Sequence, residues 1–187
     1  MIKRVVMLLA AVTLTCVGLA AAPAQASTGG ALSRCGSFQA SDYFAQVVVP
    51  GRGAAFVGGG PRQDPRTPLR NLIRPGDVVG IFATGRVSYG GFFGSAGTWG
   101  PNGNGRTAPL NSYYPFPGGP QYALVGQWNN TSSNVRIGSL SACMVVPAGG
   151  DGVSVPWGLS LSPNDDGPLD NSGSYTANVH VWSAARS

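Results

Sequence analysis

Val153-Ser154-Val155-Pro156-Trp157-Gly158-Leu159-Ser160-Leu161-Ser162 is the stretch that decides the fold class. Val153, Val155, Trp157, Leu159 and Leu161 alternate with small or polar residues, the period-two signature of a half-buried strand. Tyr175, Ala177, Val179 and Val181 alternate in the same way with Thr176, Asn178, His180 and Trp182. Working backwards, Tyr122–Trp128, Leu140–Val146, Val78–Ala83, Val87–Tyr89 and Ala45–Val49 are short runs rich in β-branched or aromatic residues. Gly, Pro and Asn clusters separate them. The spacing predicts loop over Pro50–Arg70 and Gly90–Gly105, a turn at Asn129–Ser133, and a bulge at Gly85. No helical stripe stands out after residue 26. Repeated short strands with turn signals between them predict an all-β chain, an antiparallel β-sandwich.

Between the two strongest strands lies Asn164-Asp165-Asp166-Gly167-Pro168-Leu169-Asp170-Asn171-Ser172-Gly173. Asp165, Asp166 and Asp170 are three of the seven acidic residues of the whole chain, and Glu is absent. Carboxylates, an amide oxygen and turn carbonyls are the hard oxygen donors that Ca²⁺ takes, about six to eight of them. Without Glu the EF-hand pattern is excluded. Asp, Asn, Gly and Pro are also ordinary turn residues, because Asx side chains bond nearby backbone. Composition therefore leaves a calcium site and a plain turn both open.

Residues 1–26 carry a secretory signal pattern. Lys3 and Arg4 precede the apolar run Val5–Ala22, and Ala24-Gln25-Ala26 supplies a small-x-small cleavage site. A secreted, extracellular protein is expected, with no membrane attachment after cleavage. The formal charge is +5, and losing Lys3 and Arg4 would reduce it to +3. That is too weak and dispersed for nucleic acid. Arg52, Arg62, Arg66, Arg70 and Arg74 gather in one segment, read as a solvated basic loop. Residues 27–41, rich in Ser, Gly and Ala, are expected to be flexible and frayed up to Cys35, and residues 42–187 to form one domain. In an exported chain the pair Cys35 and Cys143 is read as a structural disulfide, contributing roughly 3–5 kcal/mol.

The blocks Pro75-Gly76-Asp77-Val78, Ile81, Ala83, Gly85 and Ser88-Tyr89-Gly90, then Trp99-Gly100-Pro101-Asn102-Gly103, then Ala123-Leu124-Val125, then Asn164-Asp165 and Asn171-Ser172-Gly173-Ser174 fall in a meaningful order. Together they resemble the calcium-dependent galactophilic lectins of Pseudomonas type over residues 42–182. The resemblance implies a jelly-roll, galactose-binding-like sandwich. It implies one Ca²⁺ held by the Tyr89 carbonyl, the Asp165 carboxylate, the side-chain oxygens of Asp170 and Asn171, and a carbonyl between Gly167 and Leu169. Sugar hydroxyls would complete the coordination, with Tyr89, Trp99, Asp165, Asp166 and Asp170 as the carbohydrate-binding residues. Asp170 stands where the family has an amide. Asn104-Gly105-Arg106-Thr107-Ala108-Pro109-Leu110 lacks the family's sugar-contacting His and Gln, so the glycan is galactose-like or another sugar. The resemblance also makes a homo-oligomer an expectation.

The leading expectation is thus a secreted, calcium-dependent, lectin-like carbohydrate-binding protein without catalysis. The alternative is a structural or protein-interaction β-sandwich whose acidic loop is only a turn or a structural calcium site. An enzyme ranks third. The lone His180 sits on the polar face of the last strand, no Gly-x-Ser-x-Gly or His-x-x-x-His occurs, and Asp165 with Asp170 fits a metal better than an acid–base pair.

Overall fold

The computed structural model describes residues 27–58, 69, 72–90, 97–129, 131, 133–147 and 158–186. The signal pattern in residues 1–26, Arg62, Arg66 and Arg70, Phe92 and Phe93, and the leading half of the diagnostic strand, Val153–Trp157, lie outside them. In chain order the elements are helix α1 (Thr28–Gly36), then β1 (Tyr43–Pro50), β2 (Ala55–Gly58), β3 (Val78–Tyr89), β4 (Gly97–Trp99), β5 (Leu124–Trp128), β6 (Asn134–Arg136), β7 (Met144–Val145), β8 (Gly158–Pro163) and β9 (Ser172–Trp182). Short 3₁₀ turns occupy Pro168–Asp170 and Ala184–Arg186.

All pairings are antiparallel, and they make two sheets. One runs β1-β9-β3-β4, with β7 beside the start of β3; the other runs β2-β8-β5-β6. The chain is therefore the all-β, two-sheet sandwich that the alternation predicts. The inward residues of both sheets form one core. Val47, Val49, Ile81, Tyr175, Ala177 and Val179 face it from the first sheet, and Val57, Leu124, Leu159 and Leu161 from the second. The outward neighbours Phe44, Val48 and Phe82 stay exposed. The two-residue period of β1 and β9 thus reads directly as inside and outside.

Several expectations change in the structure. The segment expected to fray before Cys35 is the helix α1, despite three glycines that each cost about 1 kcal/mol there. Tertiary contacts outweigh that cost. Ser27 Oγ accepts the Gly30 N–H at 3.1 Å as an N-cap, and Ala31 and Cys35 are buried against Val78 and Trp182. Arg34 forms an ion pair with Asp42 at 2.9 Å. Cys35 is disulfide-bonded to Cys143, as expected, across 108 residues.

The bulge expected at Gly85 is absent, since β3 pairs with β9 in unbroken register from Val78↔Trp182 to Ser88↔Ser172. Gly85 instead adopts φ +98°, with Ser174 O only 2.5 Å from where a Cβ would sit. β2 and β4 emerge from segments expected as loops, too short to show a period by themselves. β6 likewise follows the Asn129–Ser133 turn. Leu140–Val146 contracts to β7, with only an isolated bridge between Leu140 and Phe82. β5 begins two residues late, because Tyr122 has φ 58° and its N–H is turned to Asn164 O at 2.8 Å. No described helix is long and apolar enough to cross a membrane.

β3 spans 12 residues, roughly 36 Å end to end. The helix and disulfide sit at its Val78 end. The acidic loop sits at its Tyr89 end.

Candidate functional site

The loop from β8 to β9 is built by two asparagines with opposite roles. Asn164 is wholly buried and fully engaged. Its amide nitrogen donates to Phe116 O (3.1 Å) and Pro120 O (2.9 Å), and its Oδ1 accepts the Phe116 N–H at 2.8 Å. Its main chain also bonds Ala123 and Tyr122. Asn164 therefore clamps the loop over residues 116–123 to the end of β8. Both of its oxygens already accept a main-chain N–H.

Asn171 is also fully buried, but its donors and acceptor are treated unequally. Its Nδ2 donates to Gly51 O at 2.9 Å and to Asp165 Oδ2 at 2.8 Å. Its Oδ1 has no hydrogen-bond partner. A buried acceptor left in this state costs about 1–3 kcal/mol, and in a native site it calls for an explanation such as an ion.

Asp165 is 5% exposed. Burial, the largest influence, pushes its carboxyl above the ordinary carboxylate range, and the charges of Asp166 and Asp170 add to the rise. Hydrogen bonds from Asn171 and the Gly167 backbone act the other way. Among the described residues no cationic side chain figures among these influences.

Asp170 closes the 3₁₀ turn that Pro168 starts, a position where Pro's fixed φ suits the first turn. Its side chain lies on the chain at the end of β3. A Cβ added to Gly90 would stand 2.5 Å from Asp170 Cγ and Oδ2. The carboxylate is thereby seated one residue past Tyr89. The structure thus joins Asp165 to Asn171 directly and lays Asp170 beside the Tyr89 segment. Asp166 is exposed.

Two predicted sugar contacts are placed less openly. The Tyr89 side chain is buried, its hydroxyl donating to Tyr122 O at 2.7 Å and lying 2.6 Å from the Tyr175 hydroxyl. Burial pushes the Tyr175 hydroxyl up to about 12, against the lowering effect of the Tyr89 hydrogen bond. Trp99 is half-buried and packs against the core.

His180 is remote. It lies eight residues along β9 from Ser172, roughly 26 Å away. There its ring is ringed by Phe44, Phe82 and Trp182 and bonds Ser41 Oγ at 3.1 Å. Burial lowers its pKa. It cannot act with Asp165 or Asp170.

Three residues at the site have roles that the sequence did not indicate. Gly51 O receives the Asn171 amide, Arg52 Nε donates to Asn171 O at 2.6 Å, and Gly90 makes room for Asp170. Gly51 and Arg52 are about 120 positions from Asn171 in the chain, so no local pattern joins them.

Among the described residues no group of three or more His, Cys, Asp or Glu side chains is disposed to hold a metal by itself. A cation here would need mixed donors: the Asp165 and Asp170 carboxylates, the Asn171 amide oxygen and main-chain carbonyls. That is an all-oxygen set, suited to Ca²⁺ rather than to Zn²⁺.

No protein-family model matches the chain, and no curated protein does. Among solved structures it is similar to a chain described as "EclA N-terminal domain; PllA-like lectin", at 17% identity and a TM-score of 0.45, over 73% of this chain and 94% of that one.

Proposed function

We propose that this protein binds carbohydrate through a Ca²⁺ ion held in the β8–β9 loop. The observation that carries the metal is the Asn171 Oδ1, a fully buried amide oxygen with no partner, beside the buried Asp165 carboxylate. A divalent cation would satisfy that oxygen and offset a buried negative charge that forms no ion pair among the described residues. The donor set fits: Asp165, Asp170 and Asn171 side chains, the Tyr89 carbonyl and one carbonyl between Gly167 and Leu169. These are about five oxygens, short of the six to eight that Ca²⁺ takes.

The remaining positions are those a vicinal diol can fill, since sugar hydroxyls are hard donors able to replace bound water. Asp165 and Asp170 would also accept hydrogen bonds from those hydroxyls. The carbohydrate part of the reading rests on the ordered blocks of residues 75–90, 99–103, 123–125 and 164–174. In this reading the protein is secreted and non-catalytic, and the disulfide suits an oxidising compartment.

Thermal melts in EDTA and in Ca²⁺ test the metal, because a ligand of the folded state raises Tm as its concentration passes Kd. The wild type should respond and Asp165→Ala should not. A glycan array with and without Ca²⁺ then tests the sugar. A rise in Tm with no calcium-dependent glycan binding would reduce the loop to a structural calcium site. No rise in Tm would leave it a turn.

A further inference from the structure

We infer that Arg52 makes this site select carbohydrates carrying an anionic substituent, a carboxylate or a sulfate, over neutral ones. The inference rests on the calcium-dependent carbohydrate reading above and deepens it.

The turn Gly51-Arg52-Gly53 joins β1 to β2 and is pressed onto the start of β9. A Cβ on Gly51 would lie 2.9 Å from Val87 Cγ1 and 3.1 Å from Ser172 O, so only glycine fits. Gly51 N–H donates to Gly173 O at 2.9 Å, and Gly51 O accepts from the Asn171 amide. The backbone beneath Arg52 is therefore held against the residue that carries the unpartnered oxygen.

From that base, Arg52 Nε donates to Asn171 O at 2.6 Å. One edge of the guanidinium is thus fixed. The side chain is exposed, and among the described residues Nη1 and Nη2 have no partner. Asp165, Asp166 and Asp170 all lie on the adjoining loop, yet Arg52 forms an ion pair with none of them. Among the described residues its side chain bonds a main-chain oxygen instead.

A planar fork tethered through Nε and open at both Nη atoms is the geometry that takes a carboxylate or sulfate through two parallel hydrogen bonds. With Ca²⁺ offsetting Asp165 and Asp170, Asp166 is the one acidic side chain of the loop left uncompensated, and it is exposed to solvent screening. A sugar whose hydroxyls sit on the calcium and whose acidic group reaches the Arg52 fork would satisfy both.

The test is equilibrium binding of the purified protein at saturating Ca²⁺ to matched sugars: galactose, galacturonate and galactose 6-sulfate, with the corresponding gluco series. The wild type should bind at least one anionic class about tenfold or more tightly than its neutral parent at low salt, and the advantage should shrink as salt rises. Carboxylate and sulfate arms identify which anion fits. In Arg52→Gln the ratio should fall to near one, while neutral-sugar affinity and the calcium-induced rise in Tm persist. Arg52→Lys, which keeps the charge but not the fork, should retain part of the preference.

Equal binding of neutral and anionic sugars by the wild type would overturn the inference. So would Arg52→Gln weakening both classes alike, which would make Arg52 a strap for the loop. In either outcome the wild type still shows the calcium-induced rise in Tm and calcium-dependent sugar binding, which sets both apart from failure of the underlying reading, in which Ca²⁺ changes neither Tm nor any sugar binding and both proposals fall.

Discussion

Gly90→Ala alters no proposed ligand, yet it should weaken calcium binding selectively. The added methyl would fall 2.5 Å from Asp170 Cγ and Oδ2 and 2.7 Å from its Cβ. Ordinary contact needs about 3.4–4 Å, so the carboxylate and its Cβ must retreat by about 1 Å. Asp170 is exposed, so the retreat costs little in the metal-free protein, within about 1 kcal/mol. Moving one charged donor off a cation by that distance should cost about 2 kcal/mol of affinity, or about 30-fold.

At a calcium concentration near 100 times the wild-type Kd, wild-type stabilisation is about 2.7 kcal/mol. That corresponds to a rise in Tm of about 5–10 °C for a chain of this size. With Kd raised 30-fold, about 0.9 kcal/mol remains, or about 2–3 °C. Gly167→Ala is the control in the same loop, since nothing lies within 4 Å of its added methyl. It should match wild type in EDTA and in Ca²⁺. Differential scanning fluorimetry of the three proteins reads all of this. A wild-type calcium response in Gly90→Ala would show that Asp170 is not a ligand and would refute the reasoning.

Asp165→Asn should stabilise the metal-free protein and abolish its response to Ca²⁺, because it removes a buried charge while keeping an oxygen for the Asn171 amide. The same carboxyl gives a pH signature of defined sign. Its folded-state pKa is raised, so the native state holds the proton more tightly than the unfolded chain. Stability therefore falls as pH rises from about 3.9, the unfolded value, through the raised one. In EDTA the difference in Tm between wild type and Asp165→Asn should widen with rising pH across that window, and calcium affinity should weaken as pH falls through it. Asn171→Leu should lower metal-free stability by about 1–3 kcal/mol, since Gly51 O and Asp165 lose a buried donor, and should also remove the calcium response. Replacing Cys35 and Cys143 by Ala should cost about 4–5 kcal/mol for a loop of 108 residues, seen as a lower melting midpoint. The calcium-induced rise should survive, because the bond lies at the far end of β3 from the acidic loop.

The strands that were legible beforehand are those long enough to repeat. β1 and β9 alternate over many residues, with apolar side chains at their buried positions, while β3 is legible as two β-branched runs on either side of Gly85. β2, β4 and β6 have three or four residues each and exist because a neighbouring strand offers them hydrogen bonds. α1 carries glycines that argue against a helix, and it forms because Ala31, Cys35 and Arg34 find partners in the folded sandwich.

The candidate site divides in the same way. The clustering of Asp165, Asp166, Asp170 and Asn171 between two strands is a property of neighbouring positions, visible in the chain itself, as are the all-β class and the pair of cysteines. Tertiary structure alone decided that Asn164 is a saturated clamp while Asn171 keeps an unpartnered oxygen, and that Trp99 packs on the core. It also decided that Gly90 receives Asp170 and that Arg52, about 120 residues distant, rests on Asn171. The physical reason is that side-chain alternation follows from local backbone geometry. Which oxygen is left without a donor depends instead on strand register and turn contacts between residues far apart in the chain.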